Sequence, residues 1–219
     1  NSELADILGN FVNRALVLTQ KYYEGKVPQQ GELTAYELEV LAEMQAIPER
    51  ISKLVYAYKL RDAQAEAMNL ARLGNKYLAE LEPWKLIKTD EKRVETIMNI
   101  ALQITANLSI VLQPFLPATA EKLSQFLNFK TTDWTQAGKP YLLIAGSMTN
   151  PPSIIFQKIE DSLVETEVSK LTATQVMEKS FEPQKPSVEF ENITKLDIRL
   201  GKKKKKKKVE KADKLLKLV

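Results

Sequence analysis

The residues of this chain that could do chemistry are few and limited in kind. Its 219 residues include no histidine and no cysteine. No imidazole can act as base or relay, no thiol can act as nucleophile, and no Cys/His zinc site can form. The sequence also lacks a glycine-rich phosphate loop, a nucleophile elbow and metal-ligand spacing. Carboxylate pairs occur at Glu37/Glu39, Glu80/Glu82 and Glu165/Glu167, but they read as solvated acidic faces. What remains is suited to recognition. Asn10 and Arg14 stand four apart, with Asn13 beside them, so their side chains share a helix flank. An amide next to a guanidinium offers donors and acceptors that match a nucleobase edge. Pro83-Trp84 follows a helical stretch and puts a large ring at its end, where it could stack on an unpaired base or plug a core. Asn75, nine residues earlier, is a weaker candidate. Lys202 to Lys208 is a run of seven lysines that could neutralise phosphates or simply be solvated.

Charge separates these groupings. The chain carries 32 Lys+Arg and 28 Asp+Glu, a net of +4. Residues 1–180 hold 19 basic and 22 acidic side chains, whereas residues 181–219 hold 13 and 6. The positive excess therefore belongs wholly to the tail, and net charge alone says nothing about what the rest binds. No signal peptide or run of 18 apolar residues is evident, and the chain opens on Asn1 rather than Met. A cytoplasmic setting and an excised fragment are the expectations.

The elements that must position these residues are helices. Leu4, Leu8, Phe11, Ala15, Leu18 and Tyr22 alternate by four and three, one apolar seam of a first helix that Gly25 ends. Thr34-Ala35-Tyr36-Glu37 is a capping box that opens a second helix, which Pro48 should kink or interrupt. A third runs from near Asp62 to Pro83. A fourth, from about Glu91 to Leu112, is apolar on more than one side, which predicts a central place. Pro117 opens a short fifth, ending near Leu127. Residues 141–144 and 154–156 could be extended, and another helix is expected from Glu160 to Met177. The expected fold class is all-α: a bundle over residues 1–180 with an irregular arm over 181–219.

Taken in order, the motifs resemble the C-terminal part of a bacterial methionyl-tRNA synthetase. Leu8-Gly9-Asn10-Phe11-Val12-Asn13-Arg14, continuing to Tyr22-Tyr23-Glu24-Gly25, is similar to the opening helix of that family's anticodon-binding domain. Leu73-Gly74-Asn75-Lys76-Tyr77, Glu82-Pro83-Trp84-Lys85 and Gln113-Pro114-Phe115-Leu116-Pro117 continue the resemblance, as do Ile155-Phe156-Gln157-Lys158-Ile159-Glu160-Asp161. The resemblance implies a class I synthetase anticodon-binding helix bundle that reads the CAU anticodon of initiator and elongator methionine tRNA. It implies that Asn10 and Arg14 hydrogen-bond anticodon bases and that Trp84, with Pro83 beside it, stacks on the first base. Asn75 would lie near that pocket. Asn13 is an additional RNA-contact candidate that the resemblance does not single out.

The family's catalytic signatures are missing, so the implied fragment is inactive alone, with no catalytic residues, no metal and no cofactor. ATP and Mg, and Zn in members with a zinc-bearing insertion, would serve the catalytic domain of the parent enzyme, a methionine–tRNA ligase. Lys195-Leu196-Asp197-Ile198-Arg199-Leu200-Gly201 and Ala212-Asp213-Lys214-Leu215-Leu216 resemble the start of an appended OB-fold tRNA-binding domain, which in the full-length protein could form a homodimer. The seven lysines fill the slot of an apolar barrel strand, and the chain holds too little sequence beyond them for a complete barrel. Other readings are the anticodon-binding bundle of another class I synthetase, and a helical interaction scaffold with a basic tail.

Overall fold

A computed structural model describes residues 1–130, 133–175, 186–196, 206–208 and 216–218, with backbone alone for 172–175 and the last two segments. Two compact units divide the chain, Asn1–Thr166 and Glu167–Val219. In the first, a π-helical segment Ser2–Gly9 runs directly into α1 (Asn10–Tyr23). α2 (Ala35–Tyr56) and α3 (Leu60–Leu81) form an antiparallel hairpin, and the one-turn helix α4 (Pro83–Leu86) follows. α5 (Glu91–Val111) and α6 (Pro117–Phe126) complete the bundle, and α7 (Asp161–Gln175) begins at the end of this unit. The described part of the second unit holds α8 (Phe190–Thr194) and a short antiparallel ladder in which β1 (Lys206–Lys208) faces β2 (Leu216–Leu218). Three lysines of the run are thus extended and paired. Asp197 to Gly201, Lys202 to Lys205 and Ala212 to Leu215, which carry most of the OB-like motif, lie outside the described residues.

α5 is the axis of the fold. It is long and apolar enough to cross a membrane, yet 94% of its apolar window is buried inside the bundle. Its all-round apolarity is that of a core helix, as the sequence predicts. α1 lays Phe11, Val12, Ala15 and Leu16 against it and against α3, and Leu8 of the π-helical segment continues the buried seam. Gly74 of α3 makes the second contact close. A Cβ at Gly74 would lie 2.4 Å from the Phe11 ring, so the ring seats directly on the α3 backbone.

Thr34 and Glu37 form both halves of the capping box. Glu37, read from its spacing with Glu39 as part of a solvated acidic face, is instead fully buried, because Arg93 at 2.7 Å and the Tyr77 hydroxyl at 2.9 Å bind its carboxylate. Burial pushes its carboxyl up. Hydrogen bonds from Arg93, the Thr34 N–H and Tyr77, with the Arg93 charge, outweigh this and hold it below the usual carboxylate range. The same burial, with the Glu37 charge beside it, pushes the Tyr77 hydroxyl well up. One acidic side chain therefore caps α2 and ties it to α3 and α5.

Three local expectations change. Pro48 neither breaks α2 nor starts a new helix, because one helix spans it. The left-handed residue ending α1 is Glu24 (φ 51°), with Gly25 (φ 81°) continuing the turn. Residues 141–144 and 154–156 are irregular rather than strands. For the first of these segments the reason is visible. Gln103 Oε1 accepts from the Leu142 and Leu143 N–H groups at 2.8 and 3.0 Å, and Gln103 Nε2 donates to the Leu143 carbonyl at 2.8 Å. A buried side chain does what a neighbouring strand would do. Asn107 treats the turn before it alike, accepting from Gly138 N–H and donating to the Lys139 carbonyl. Asn99 donates to the Pro28 carbonyl at 2.8 Å.

Candidate nucleic-acid interface

Asn10 and Asn13 stand on the exposed flank of α1, and Arg14 is half-buried beside them. The flank exists because the apolar seam of α1 is satisfied on the other side by α3 and α5. Trp84 arrives from a different element. Glu82 ends α3 in the left-handed region (φ 41°), and Pro83 then opens α4, whose fixed φ suits a first helical position. Pro83 is buried, whereas Trp84 keeps 38% of its surface exposed. The sharp turn at Glu82 brings the ring back beside α1. There the Arg14 guanidinium carbon lies 5.9 Å from the Trp84 ring centroid, within cation–π range.

Arg14 and Trp84 line one open cavity of about 310 Å³ with Asn13, Val17 and Leu18. Asn10 does not. It lines a second cavity of about 280 Å³ with Gly9, Asn13 and the segment Ile154 to Phe156. The i, i+4 pair of the sequence thus serves two cavities, with Asn13 in both. Asn75 is elsewhere engaged: its Nδ2 donates to the Ile7 carbonyl at 2.7 Å, pinning the π-helical segment to α3. Leu73 to Tyr77 is therefore a joint, in which Gly74 seats Phe11, Asn75 holds Ile7 and Tyr77 holds Glu37. A larger cavity of about 680 Å³ lies between the end of α5 and α6, away from all of these residues.

Some lining residues are not signalled by the motifs. Val17 is 43% exposed and lies off the apolar seam of α1, a position that invites the question of what covers it. Ile154 to Phe156 reads as a strand and gives no hint of folding back on the start of the chain. It does so because Lys158 pairs with Asp6 at 2.8 Å, while Asn1 and Ile159 exchange hydrogen bonds of 2.8 and 2.9 Å. Among the described residues, no group of acidic side chains is gathered to hold a metal ion.

Comparison with known proteins gives this arrangement its class. A family model described as the anticodon binding domain of methionyl tRNA ligase matches residues 27–176. The chain belongs to that family of anticodon-binding domains. Methionine–tRNA ligase of Bacteroides fragilis (strain YCH46) is 52% identical over 220 residues, covering 99% of this chain and 32% of the relative. That of Parabacteroides distasonis is 53% identical, with the same coverage. The chain therefore spans about a third of the length of these relatives. These matches take in α1, which begins before the family model does. Among solved structures, apo Mycobacterium tuberculosis methionyl-tRNA synthetase superimposes with a TM-score of 0.68 at 25% identity, over 73% of this chain and 33% of that one. Its methionyl-adenylate-bound form gives 0.65.

Proposed function

We propose that this domain reads the CAU anticodon loop of initiator and elongator methionine tRNAs, with Trp84 stacking on the first anticodon base and Arg14 bonding its edge. The observation that carries this is the Arg14–Trp84 pair facing one open cavity of about 310 Å³. Sequence-specific RNA readers favour unpaired loops, whose splayed bases can be stacked and read at their edges. An exposed indole face beside a guanidinium supplies both. Pro83 fixes the start of the turn that carries Trp84, and Asn75 acts as a positioning residue through Ile7. The acidic balance of residues 1–180 makes stacking and edge bonds, rather than bulk charge, the source of affinity.

In the same reading the domain serves a ligase that joins methionine to its tRNA in an ATP-dependent reaction in the cytoplasm. That chemistry, with its ATP, Mg and Zn, is assigned to sequence outside this chain. The division at residue 180 and dimerisation through a completed C-terminal domain belong to the same proposal.

Anticodon stem-loop RNAs titrated against the chain test the reading. Trp84→Ala should weaken the CAU loop by roughly 1–3 kcal/mol with the helical content intact, and an unchanged dissociation constant removes the stacking role. Arg14→Ala should narrow the preference for CAU over altered anticodons. Equal losses for all loops would make Arg14 a phosphate contact.

A further inference from the structure

The turn that joins α2 to α3 has no part in the reading above. It lies at the opposite end of α3 from Trp84, and α3 is 22 residues long, about 33 Å. We propose that this turn is a second docking point for the tRNA, gripping the ribose-phosphate backbone outside the anticodon loop through Tyr56, Tyr58, Lys59 and Arg61. It rests on the anticodon reading for its partner alone and places the contact elsewhere.

Three observations support it. First, Tyr58 has a backbone conformation that its residue type disfavours. α2 ends in a Schellman turn, with the Tyr58 N–H donating to the Val55 carbonyl and the Lys59 N–H to the Leu54 carbonyl, each at 2.9 Å. Tyr58 therefore occupies the left-handed position (φ 59°) that glycine adopts freely. Among the described residues it is the one aromatic with positive φ. Its side chain is 91% exposed, so no packing inside the chain offsets the strain. A strained residue whose ring lies in solvent points to a partner outside the chain. Second, Tyr56 is 86% exposed, so two phenols stand in solvent within three residues. A phenol hydroxyl both donates and accepts, which suits ribose 2′-hydroxyls and phosphate oxygens. Third, residues 53–61 hold Lys53, Lys59 and Arg61 and no carboxylate, although residues 1–180 are acidic overall. Lys53 pairs with Glu49 at 2.7 Å, whereas Lys59 and Arg61 are exposed and make no ion pair among the described residues. The next carboxylate, Asp62, sits in the first turn of α3, where it suits the helix N-terminus. Two unpaired cations beside two exposed phenols complement a polyanion.

Distance decides which part of the RNA reaches this turn. One RNA that touches Trp84 and Tyr58 together must span the length of α3. Stacked base pairs advance about 3.4 Å each, so the stem of a five-pair anticodon hairpin, about 17 Å, supplies only about half of that span. A whole tRNA supplies the rest. Contacts at this distance meet the backbone, and they add affinity without adding anticodon specificity.

The test compares a whole methionine tRNA transcript with the five-pair CAU hairpin, each titrated against the full chain. Tyr58→Gly should weaken the whole tRNA about fivefold and leave the hairpin unchanged. It should also raise the thermal midpoint by about 2–4 °C, because glycine relieves the left-handed strain. A variant that is more stable yet binds less well cannot owe its lost affinity to misfolding. The double variant Lys59→Ala/Arg61→Ala should reduce the slope of log Kd against log salt for the whole tRNA by about 2. Equal losses on both RNAs, while the chain still prefers CAU, refute the docking point and leave the anticodon reading standing. No loss on either RNA refutes it too, and the exposed Leu60 would then direct the search to a protein partner. If the wild-type chain shows no preference for CAU, yet the turn variants weaken only the whole tRNA, the anticodon reading fails and the docking point stands.

Discussion

Two rows of amide side chains, on α1 and on α5, put the same chemistry to opposite uses. On α5, Asn99, Gln103 and Asn107 recur every four residues, are buried, and each bonds a loop backbone 31 to 71 residues away in sequence. On α1, Asn10 and Asn13 are exposed and bond to none of the described residues. A buried amide is driven to bond, because an unmet polar group in the interior costs about 1–3 kcal/mol, and of these three only Asn99 leaves an atom, its Oδ1, without a partner. Water carries that burden for an exposed one. The first row therefore shapes the protein, and the second is free to meet a ligand.

The largest test of this division is the other buried polar tie, Glu37. Glu37→Gln leaves Arg93 without its anion and should cost about 3 kcal/mol, read as a lower urea midpoint. Because the folded carboxyl is held below its ordinary range, its contribution is complete above about pH 4.3 and is lost as pH falls through the folded value. The variant should lack that acid-limb loss, and an identical acid limb in both proteins would deny Glu37 its role. Gln103→Leu comes next. It strands the Leu142 and Leu143 N–H groups and the Leu143 carbonyl, and should lower stability by about 2 kcal/mol, while the folded variant binds the CAU loop as before. A loss of RNA affinity in the folded variant would blur the division. The smallest effect belongs to α1: Asn10→Ala should change stability by no more than about 0.5 kcal/mol while weakening the CAU loop. A large loss of stability would mean that the exposed row is structural after all.

The two rows also differ in how far they can be read from sequence. The seam of α1 follows from its spacing, and with it the exposed flank that carries Asn10, Asn13 and Arg14. The pairing of Arg14 with Trp84 does not, since it depends on a left-handed turn at Glu82, a residue type that gives no warning of it. The split of Asn10 from Arg14 is equally hidden, because helical spacing places two side chains on one flank but cannot show what a distant segment lays against it. On α5 the failure is of another kind. Residues 141–144 read as extended because an apolar run predicts a strand, but local sequence cannot reveal that Gln103 supplies their hydrogen bonds. The signal is there, as amide residues spaced by four along a largely apolar stretch of helix, and only the bundle shows what they bind. Thr34-Glu37 was legible as a cap. Its second role, as the buried anion for Arg93, was not.

The glutamine clasp has a consequence for motion. The amide protons of Leu142 and Leu143 end on a side chain rooted in the central helix, so their protection is tied to that helix and not to a neighbouring strand. A stretch without helix or strand should then exchange its hydrogens more slowly than an ordinary loop does.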